Sequence, residues 1–393
     1  MRALFISLFI YCVCMTAQTH AWAQGEPHVQ ALEESVDYAA LDRRIKIMME
    51  NPEMVGLSVA IVEGDEITFA RGYGETLKGS GERVDAETIF RWASVSKSVA
   101  SSLVYSFSEE GVLTLDDPIE RHAPSLKLPA TDKVTRVKDI MSHRTGLPRN
   151  AYDTRIEDNW TGAKVRESLG GLNRVCAPAT CHSYQNAAYD ALSETVESLT
   201  HLPYKAVVNE RIFEPLRMTT ASVTHEGLVR SKNWAKPHNR NGTPQKDVLP
   251  TYYRIPAAAG INSSVKDLAR WMAAQFNGYG FISDAQRRAM QTGYVETPKE
   301  KRFIDRYFYV LEDPHYGYGW RVYDYAGRKL VGHRGGVAGY RALTFFDPER
   351  RAGIAVMWNT SHTRPVALQI EFLEQLYGLE RKDWLQLGER DKG

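Results

Sequence analysis

The feature that most constrains this chain is a strand pattern at both of its ends with helical patterns between them. GLSVAIVEGDEITFARGYG (56–74) alternates apolar and polar residues and turns at Glu63-Gly64-Asp65, which predicts a hairpin. YGYGWRVYDYAGRKLVGHRGGVAGYRALTFFDPERRAGIAVMWNTS (316–361) alternates over several short runs broken by Ala-Gly, Gly-Gly and Asp-Pro turns. Between these ends the 3.6-residue period dominates: 186–202, 203–213 and 263–276 read as helices, the last opened by a serine cap. A buried helix of small and apolar residues is expected over 94–110, stopped by Gly111. Further helices are expected over 31–50 and about 363–378. The predicted fold is therefore α+β: one antiparallel sheet completed by both chain ends and flanked by helices, a helical second lobe, and a site in the cleft between them. The sheet lobe is expected from about 40–90 and 311–378 and the helical lobe from about 90–310. The chain shows no internal repeat, low-complexity tract or long linker, so 24–393 reads as a single compact domain with two lobes.

Charge narrows the partners. Against 48 acidic residues stand 49 basic ones, a net +1, so no polyanion is advertised and no nucleic-acid partner is expected; a small substrate is. The start, MRALFISLFIYCVCMTAQTHAWAQ, has Arg2, an apolar run from Ala3 to about Ala17 and Ala21-Trp22-Ala23 before Gln24, the layout of a removable secretory signal over 1–23. The rival reading is a membrane anchor, but a bilayer span needs ~20 apolar residues and this run is shorter. The mature protein is thus expected to be secreted or periplasmic, without stable membrane insertion. Once Cys12 and Cys14 leave with the signal, Cys176 and Cys181 remain, bracketing Ala-Pro-Ala-Thr. An oxidising compartment favours a disulfide between them; the competing readings are free thiols, or a metal site with His182, for which no second ligand cluster is visible.

A serine and a lysine stand three apart in Ser94-Val95-Ser96-Lys97. Such spacing arises about once by chance in a chain of ordinary composition, and a second copy exists, Ser263-Ser264-Val265-Lys266, which reads as a helix cap. Context separates them. The first lies among Phe90, Trp92, Ala93, Val95 and Val99, an apolar surround in which a lysine is drawn toward its neutral form and so toward use as a base. Residues three apart on a helix share a face, and the helix start offers backbone N–H groups and a positive dipole end to an oxyanion. Ser94 is therefore the candidate nucleophile and Lys97 its base.

Two more motifs follow in order. Tyr184-Gln185-Asn186 precedes a helix: beside a lysine the tyrosine could share a proton with the serine, whereas the plain alternative is a core tyrosine and a capping asparagine. His333-Arg334-Gly335 lies between strand-like segments, where glycines let a substrate approach a strand edge and side chains supply positive charge or a hydrogen bond. A decoy, His225-Glu226-Gly227, sits in a polar stretch without strand signal, and His122, His143 and His201 read as polar or capping residues.

The ordered set Ser94-x-x-Lys97, Tyr184-x-Asn186 and His333-x-Gly335 resembles the serine β-lactamase and penicillin-binding-protein superfamily, in particular the class C β-lactamase branch with its D,D-carboxypeptidase, D-aminopeptidase and esterase relatives. MSHRTGLP (141–148), AAAGINSSVKDLARWM (257–272) and GHRGGVAGYRALTFFDP (332–348) resemble segments of that branch, and the likeness covers roughly 40–378. The resemblance implies an acyl-enzyme on Ser94 without metal or cofactor, proton movement by Lys97 and Tyr184, and an oxyanion hole from the Ser94 N–H and one from the strand after Gly335. It further implies a substrate held by Asn186, His333, Gly335 and Gly336. The implied substrates are β-lactams or D-amino-acid amides. Histidine at the third motif, where class C enzymes generally carry Lys-Thr-Gly, resembles the peptidase and esterase branches instead; Arg334 would restore positive charge if it pointed into the cleft. The alternatives are an esterase or D-aminopeptidase of the same fold and a non-catalytic penicillin-binding module. The chain has neither Gly-x-Ser-x-Gly nor His-Glu-x-x-His, the marks of α/β-hydrolases and zinc hydrolases.

Overall fold

A computed structural model of the chain describes residues 36–307 and 309–388, the backbone alone over 303–307; the expected signal at 1–23 lies outside the described residues. Eight strands form one antiparallel sheet: β1 (Gly56–Glu63), β2 (Glu66–Gly74), β3 (Val295–Glu296), β4 (Glu312–Tyr316), β5 (Arg321–Tyr325), β6 (Arg328–Val337), β7 (Tyr340–Asp347) and β8 (Ala352–Trp358). Their order is β2-β1-β8-β7-β6-β5-β4-β3, so β1 from the front of the chain pairs with β8 near its end, Leu57 opposite Trp358. The two chain ends complete one sheet, as the end patterns predict.

Central strands are buried on both faces, β1 and β8 almost throughout. Leu57, Val59 and Ile61 enter one apolar core while Ala60 and Val62 enter the other. Helices α1 (Tyr38–Met49) and α6 (Leu368–Leu376) cover the first face through Leu41, Ile45, Met48, Phe372 and Leu373. The second face carries α4 (Val265–Asn277), with Leu268, Trp271 and Met272 against it, and beyond it the helical lobe with α2 (Ser96–Glu109) and α3 (Ala191–Thr200). The short helix α5 (Pro298–Tyr307) lies against β4, near the β3 edge of the sheet.

Several helices differ from expectation at their ends, for local reasons. The helix expected over 94–110 begins two residues later: Ala93–Val95 form a 3₁₀ turn and α2 starts at Ser96. The stretch 186–202 divides into Asn186–Tyr189 and α3, which ends where His201 turns left-handed at φ 57°. In α4 the cap is Ser264, whose Oγ accepts from the Asp267 N–H at 3.3 Å. Among the described residues no helix is long and apolar enough to cross a membrane.

Candidate active site

The turn that carries Ser94 is pinned from two sides. Ala93 adopts a left-handed φ of 48°, uncommon for a residue with a side chain and tolerated best by a small one. Trp92 N–H donates to Ile261 C=O at 2.9 Å, the Trp92 indole donates to Ser263 Oγ at 2.7 Å, and Ser96 Oγ accepts from Ile261 N–H at 3.1 Å. Ser94 itself is only half-buried while its neighbours on either side are closed off from solvent. The second Ser-x-x-Lys thus has a different task from the first: Ser263 holds the indole, Ser264 caps α4, and Lys266 reaches outward to Glu87 at 2.5 Å. Ser264→Ala is expected to cost about 1 kcal/mol for the cap. Ser263→Ala should cost more, ~1–3 kcal/mol, because it leaves a buried indole N–H unpaired; urea unfolding of the two variants checks the order.

Lys97 is fully buried, one α-helical turn from Ser94. Its Nζ lies 3.3 Å from Ser94 Oγ, 2.8 Å from Asn186 Oδ1 and 2.9 Å from the Ala258 carbonyl, three acceptors around one amine. It also stands 4.7 Å from the Tyr184 ring centroid and 5.4 Å from that of Tyr189, which present their π faces to it. The wholly apolar surround expected from Phe90, Trp92 and Val99 is therefore replaced by a polar one supplied from distant segments.

Those segments follow the disulfide. Cys176 and Cys181 are bridged, their Cα atoms 6.3 Å apart, and the chain then runs through Ser183, whose N–H bonds the His143 carbonyl at 2.9 Å, to Tyr184. Gln185, not Asn186, caps the next helix, its side chain accepting from the Ala187 N–H at 3.1 Å. This releases Asn186 to face the cleft, where its oxygen accepts a hydrogen bond from Lys97 Nζ and one N–H donates to Asp153 Oδ2 at 2.8 Å. Burial raises the Asp153 carboxyl against the lowering effect of Asn186 and Lys97. Around the Tyr184 ring stand Lys97, Arg149 at 5.7 Å and Arg321 at 5.9 Å, three basic side chains about one phenol.

Strand β6 closes the site. It pairs with β5 only as far as Gly332, whereas its pairing with β7 continues to Val337, so His333–Val337 keep one edge unpaired by the sheet. A Cβ on Gly335 would lie 2.0 Å from the Trp92 carbonyl oxygen and 3.1 Å from Ser94 N. Gly335 thus meets a demand beyond the expected substrate approach: it lets the turn that carries Ser94 come up against the strand. Gly336 is exposed at the rim, where a Cβ would touch only the Arg341 side chain. His333 is 1% exposed, with Nε2 2.9 Å from Tyr316 Oη and Nδ1 2.9 Å from the Arg334 carbonyl. Burial first, then Arg321 and Lys97, hold it well below the usual histidine range, so it offers a neutral ring and no positive charge. Arg334 does not enter the cleft. Strand alternation sends it to the opposite face, where it pairs with Glu300 and meets Tyr323 Oη at 3.4 Å, and burial lowers its guanidinium to about 10.

His143 corrects another expectation. It is neither solvated nor capping: its ring lies 4.1 Å from that of Tyr184 and 4.8 Å from that of Tyr316, and Nδ1 accepts from the Gln185 N–H at 3.2 Å. Burial, and then Lys97, push it well below its ordinary value. Unfolded, it binds a proton below pH ~6.5; folded, it does not. This contribution to stability is therefore intact above pH ~6.5 and is lost as pH falls. Below about pH 5.5, stability of a His143→Gln variant should vary with pH less steeply than that of the parent by ~1.4 kcal/mol per unit, the worth of one proton, as read from denaturant unfolding at several pH values. His122 and His201 do fit the plain reading, the first against Asp117 at 2.8 Å and the second ending α3. The decoy His225 starts a short helix and binds the Val248 carbonyl at 2.8 Å. Among the described residues no group of three His, Cys, Asp or Glu side chains is placed to hold a metal.

Asp153, Arg149, Arg321, Tyr189 and Tyr316 escaped the sequence reading because no local spacing marks them. They reach the site only through tertiary contact.

Comparison with known proteins bears on this geometry. A family model described as Beta-lactamase matches residues 41–377. The chain is 25% identical to an unguisins hydrolase of Aspergillus violaceofuscus over 84% of its own length and 64% of that protein's, so it spans less than two thirds of this relative. It is 24% identical to the D-alanyl-D-alanine-carboxypeptidase/endopeptidase AmpH of Escherichia coli K12, covering 77% of this chain and 78% of that one. Among solved structures, the octameric penicillin-binding protein homologue from Pyrococcus abyssi superposes with a TM-score of 0.77 at 26% identity, covering 88% of this chain and 78% of that one. A class C β-lactamase superposes with a TM-score of 0.70 at 18% identity over 87% and 97%, a likeness of fold.

Proposed function

We propose that this chain, which belongs to the β-lactamase family of serine hydrolases, is an exported acyl-hydrolase that opens β-lactam or D-amino-acid amide bonds through an acyl-enzyme on Ser94. The observation that carries the reading is the contact of Lys97 Nζ with Ser94 Oγ at 3.3 Å beside a strand edge laid against the Ser94 backbone.

In this mechanism Ser94 Oγ attacks the carbonyl carbon and gives its proton to the Tyr184 oxygen, which enters the step as phenolate, with Lys97 holding the serine oxygen and the Asn186 carboxamide in line. Negative charge on the carbonyl oxygen meets the Ser94 N–H and one from β6 beyond Gly335. The carbonyl–nitrogen or carbonyl–oxygen bond then breaks, and the leaving group takes the proton from Tyr184. Water adds to the Ser94 ester by the reverse proton path, releasing the acid and restoring the serine. Asn186 has a second amide proton for the substrate carbonyl. The cations Lys97, Arg149 and Arg321 about Tyr184 favour the step in which the phenol carries charge.

One observation favours a second reading within the family, an esterase or D-aminopeptidase. His333 stands neutral where class C enzymes generally carry lysine, so the substrate-carboxylate contact expected of a β-lactamase loses its charge. The Cys176–Cys181 bridge suits an oxidising compartment and supports export; amino-terminal sequencing of secreted protein should begin at Gln24. The test of substrate class is a comparison of kcat/KM on a chromogenic cephalosporin, a D-alanyl-D-alanine peptide, a D-amino-acid p-nitroanilide and a p-nitrophenyl ester. Preference for the cephalosporin or the peptide supports the main reading; preference for the ester, or for the anilide with its free D-amino terminus over both other amides, supports the second; activity on none of them contradicts both.

A further inference from the structure

Arg91 lies three residues before Ser94, on the two-residue strand Phe90–Arg91 that pairs with Asn262–Ser263. It is 3% exposed, yet its guanidinium makes no hydrogen bond or ion pair among the described residues, and Nε and Nη2 are sealed from solvent without a partner. Buried arginine is almost always paired, because an uncompensated charge in a poorly solvated place is costly. Here only the Tyr253 ring attends it, with Cζ 4.3 Å from the centroid. Stacking fixes the plane of the guanidinium; Nε and Nη2 are enclosed by protein, and Nη1, the one nitrogen not sealed off, is left to meet a carboxylate oxygen.

The same side chain lines a cavity of about 370 Å³, with Tyr252, Val337, Ala338, Glu157 and Asp247 among the other walls. Val337 and Ala338 continue β6 just past Gly336, and Glu157 ends the short helix that begins at Asp153, the partner of Asn186. The cavity therefore adjoins the Ser94 site along the strand edge. Glu157 and Asp247 form no ion pair with Arg91, and Glu157 instead accepts from Tyr252 Oη at 3.4 Å. Their charge disfavours a second anion elsewhere in the cavity and leaves the guanidinium as the place where one can be bound.

We propose that this cavity is a subsite for an anionic group on the acyl part of the substrate, with Arg91 as the specificity-determining residue that binds its carboxylate. The proposal rests on the Ser94 acyl-hydrolase reading and deepens it by naming the substrate class: amides or esters whose acyl chain ends in a free carboxylate. It also gives the site a cation for substrate recognition where His333 supplies none.

The experiment compares p-nitrophenyl hydrogen glutarate with its uncharged counterpart p-nitrophenyl valerate and with the cationic p-nitrophenyl 5-aminovalerate, in the parent protein, Arg91→Gln and Ala338→Asp. The parent should favour glutarate over valerate at least tenfold in kcat/KM. Arg91→Gln should bring that ratio to about one, and Ala338→Asp, a change at an exposed rim position, should lower it by placing a competing carboxylate in the cavity. Equal use of glutarate and valerate by the parent overturns the proposal, as does a ratio that survives Arg91→Gln. Preference for the aminovalerate ester also overturns it and transfers recognition to Glu157 and Asp247. If Arg91→Gln does not fold, the parent ratio and Ala338→Asp still decide. Failure of the underlying reading shows differently: none of the three esters would then acylate Ser94.

Discussion

Ser94→Ala is expected to remove the proposed hydrolytic activity, with a loss on the order of 10⁶-fold in kcat, the scale of deleting a serine nucleophile. The protein around it stays folded, because the turn is held by Trp92, Ser96 and Ile261 and by no bond that Ser94 alone supplies to the core. The variant loses an acceptor of Lys97, but Asn186 Oδ1 and the Ala258 carbonyl continue to hold its Nζ. Steady-state kinetics on whichever substrate proves best, beside a thermal melt, separates the chemical loss from unfolding. A melt shifted by more than a few degrees would mean that Ser94 has a structural task this account does not give it.

Gly335→Ala is the second change with a large expected effect. Its Cβ would stand 2.0 Å from the Trp92 carbonyl oxygen, a backbone atom that no rotamer change can move aside. Either β6 or the nucleophile turn must shift, and overpacking of this kind costs ~1–3 kcal/mol of stability. The shift falls on the two backbone segments proposed to form the oxyanion hole. Misplacement by about 1 Å costs catalysis ~10²-fold, so kcat should fall by at least that factor while the melting temperature drops only modestly. Gly336→Ala is the control: its Cβ meets only the flexible end of Arg341, so its effect should be much smaller. Equal losses in the two variants would remove the special place given to Gly335.

How much of this could be seen in the sequence follows from what is local. The Ser94–Lys97 pair was legible because three residues on a helix-like turn lie on one side, and the structure does bring their side chains together. The union of the chain ends was legible because strand patterns at both ends need partners. Clean alternation was a poor guide to β1 and β8, since helices cover both faces of the sheet and apolar residues fill every position. Alternation alone would have placed Arg334 on the face opposite His333, had the strand period been carried through the motif. The neutrality of His333 and His143, the Asp153 contact with Asn186 and the unpaired Arg91 had no such signal. Each depends on which distant segments enclose the side chain, and burial is decided by the whole fold.

The central claim is that Ser94 is acylated during turnover. The most direct test is the intact mass of the parent protein and of Ser94→Ala, quenched in acid within seconds of mixing with a chromogenic β-lactam or an activated p-nitrophenyl ester, followed by peptide mapping. The account predicts a mass increase equal to the acyl group, located on the peptide containing Ser94 and absent from the variant. Turnover that persists in Ser94→Ala, or an adduct mapped to Ser263 or any other residue, would contradict it.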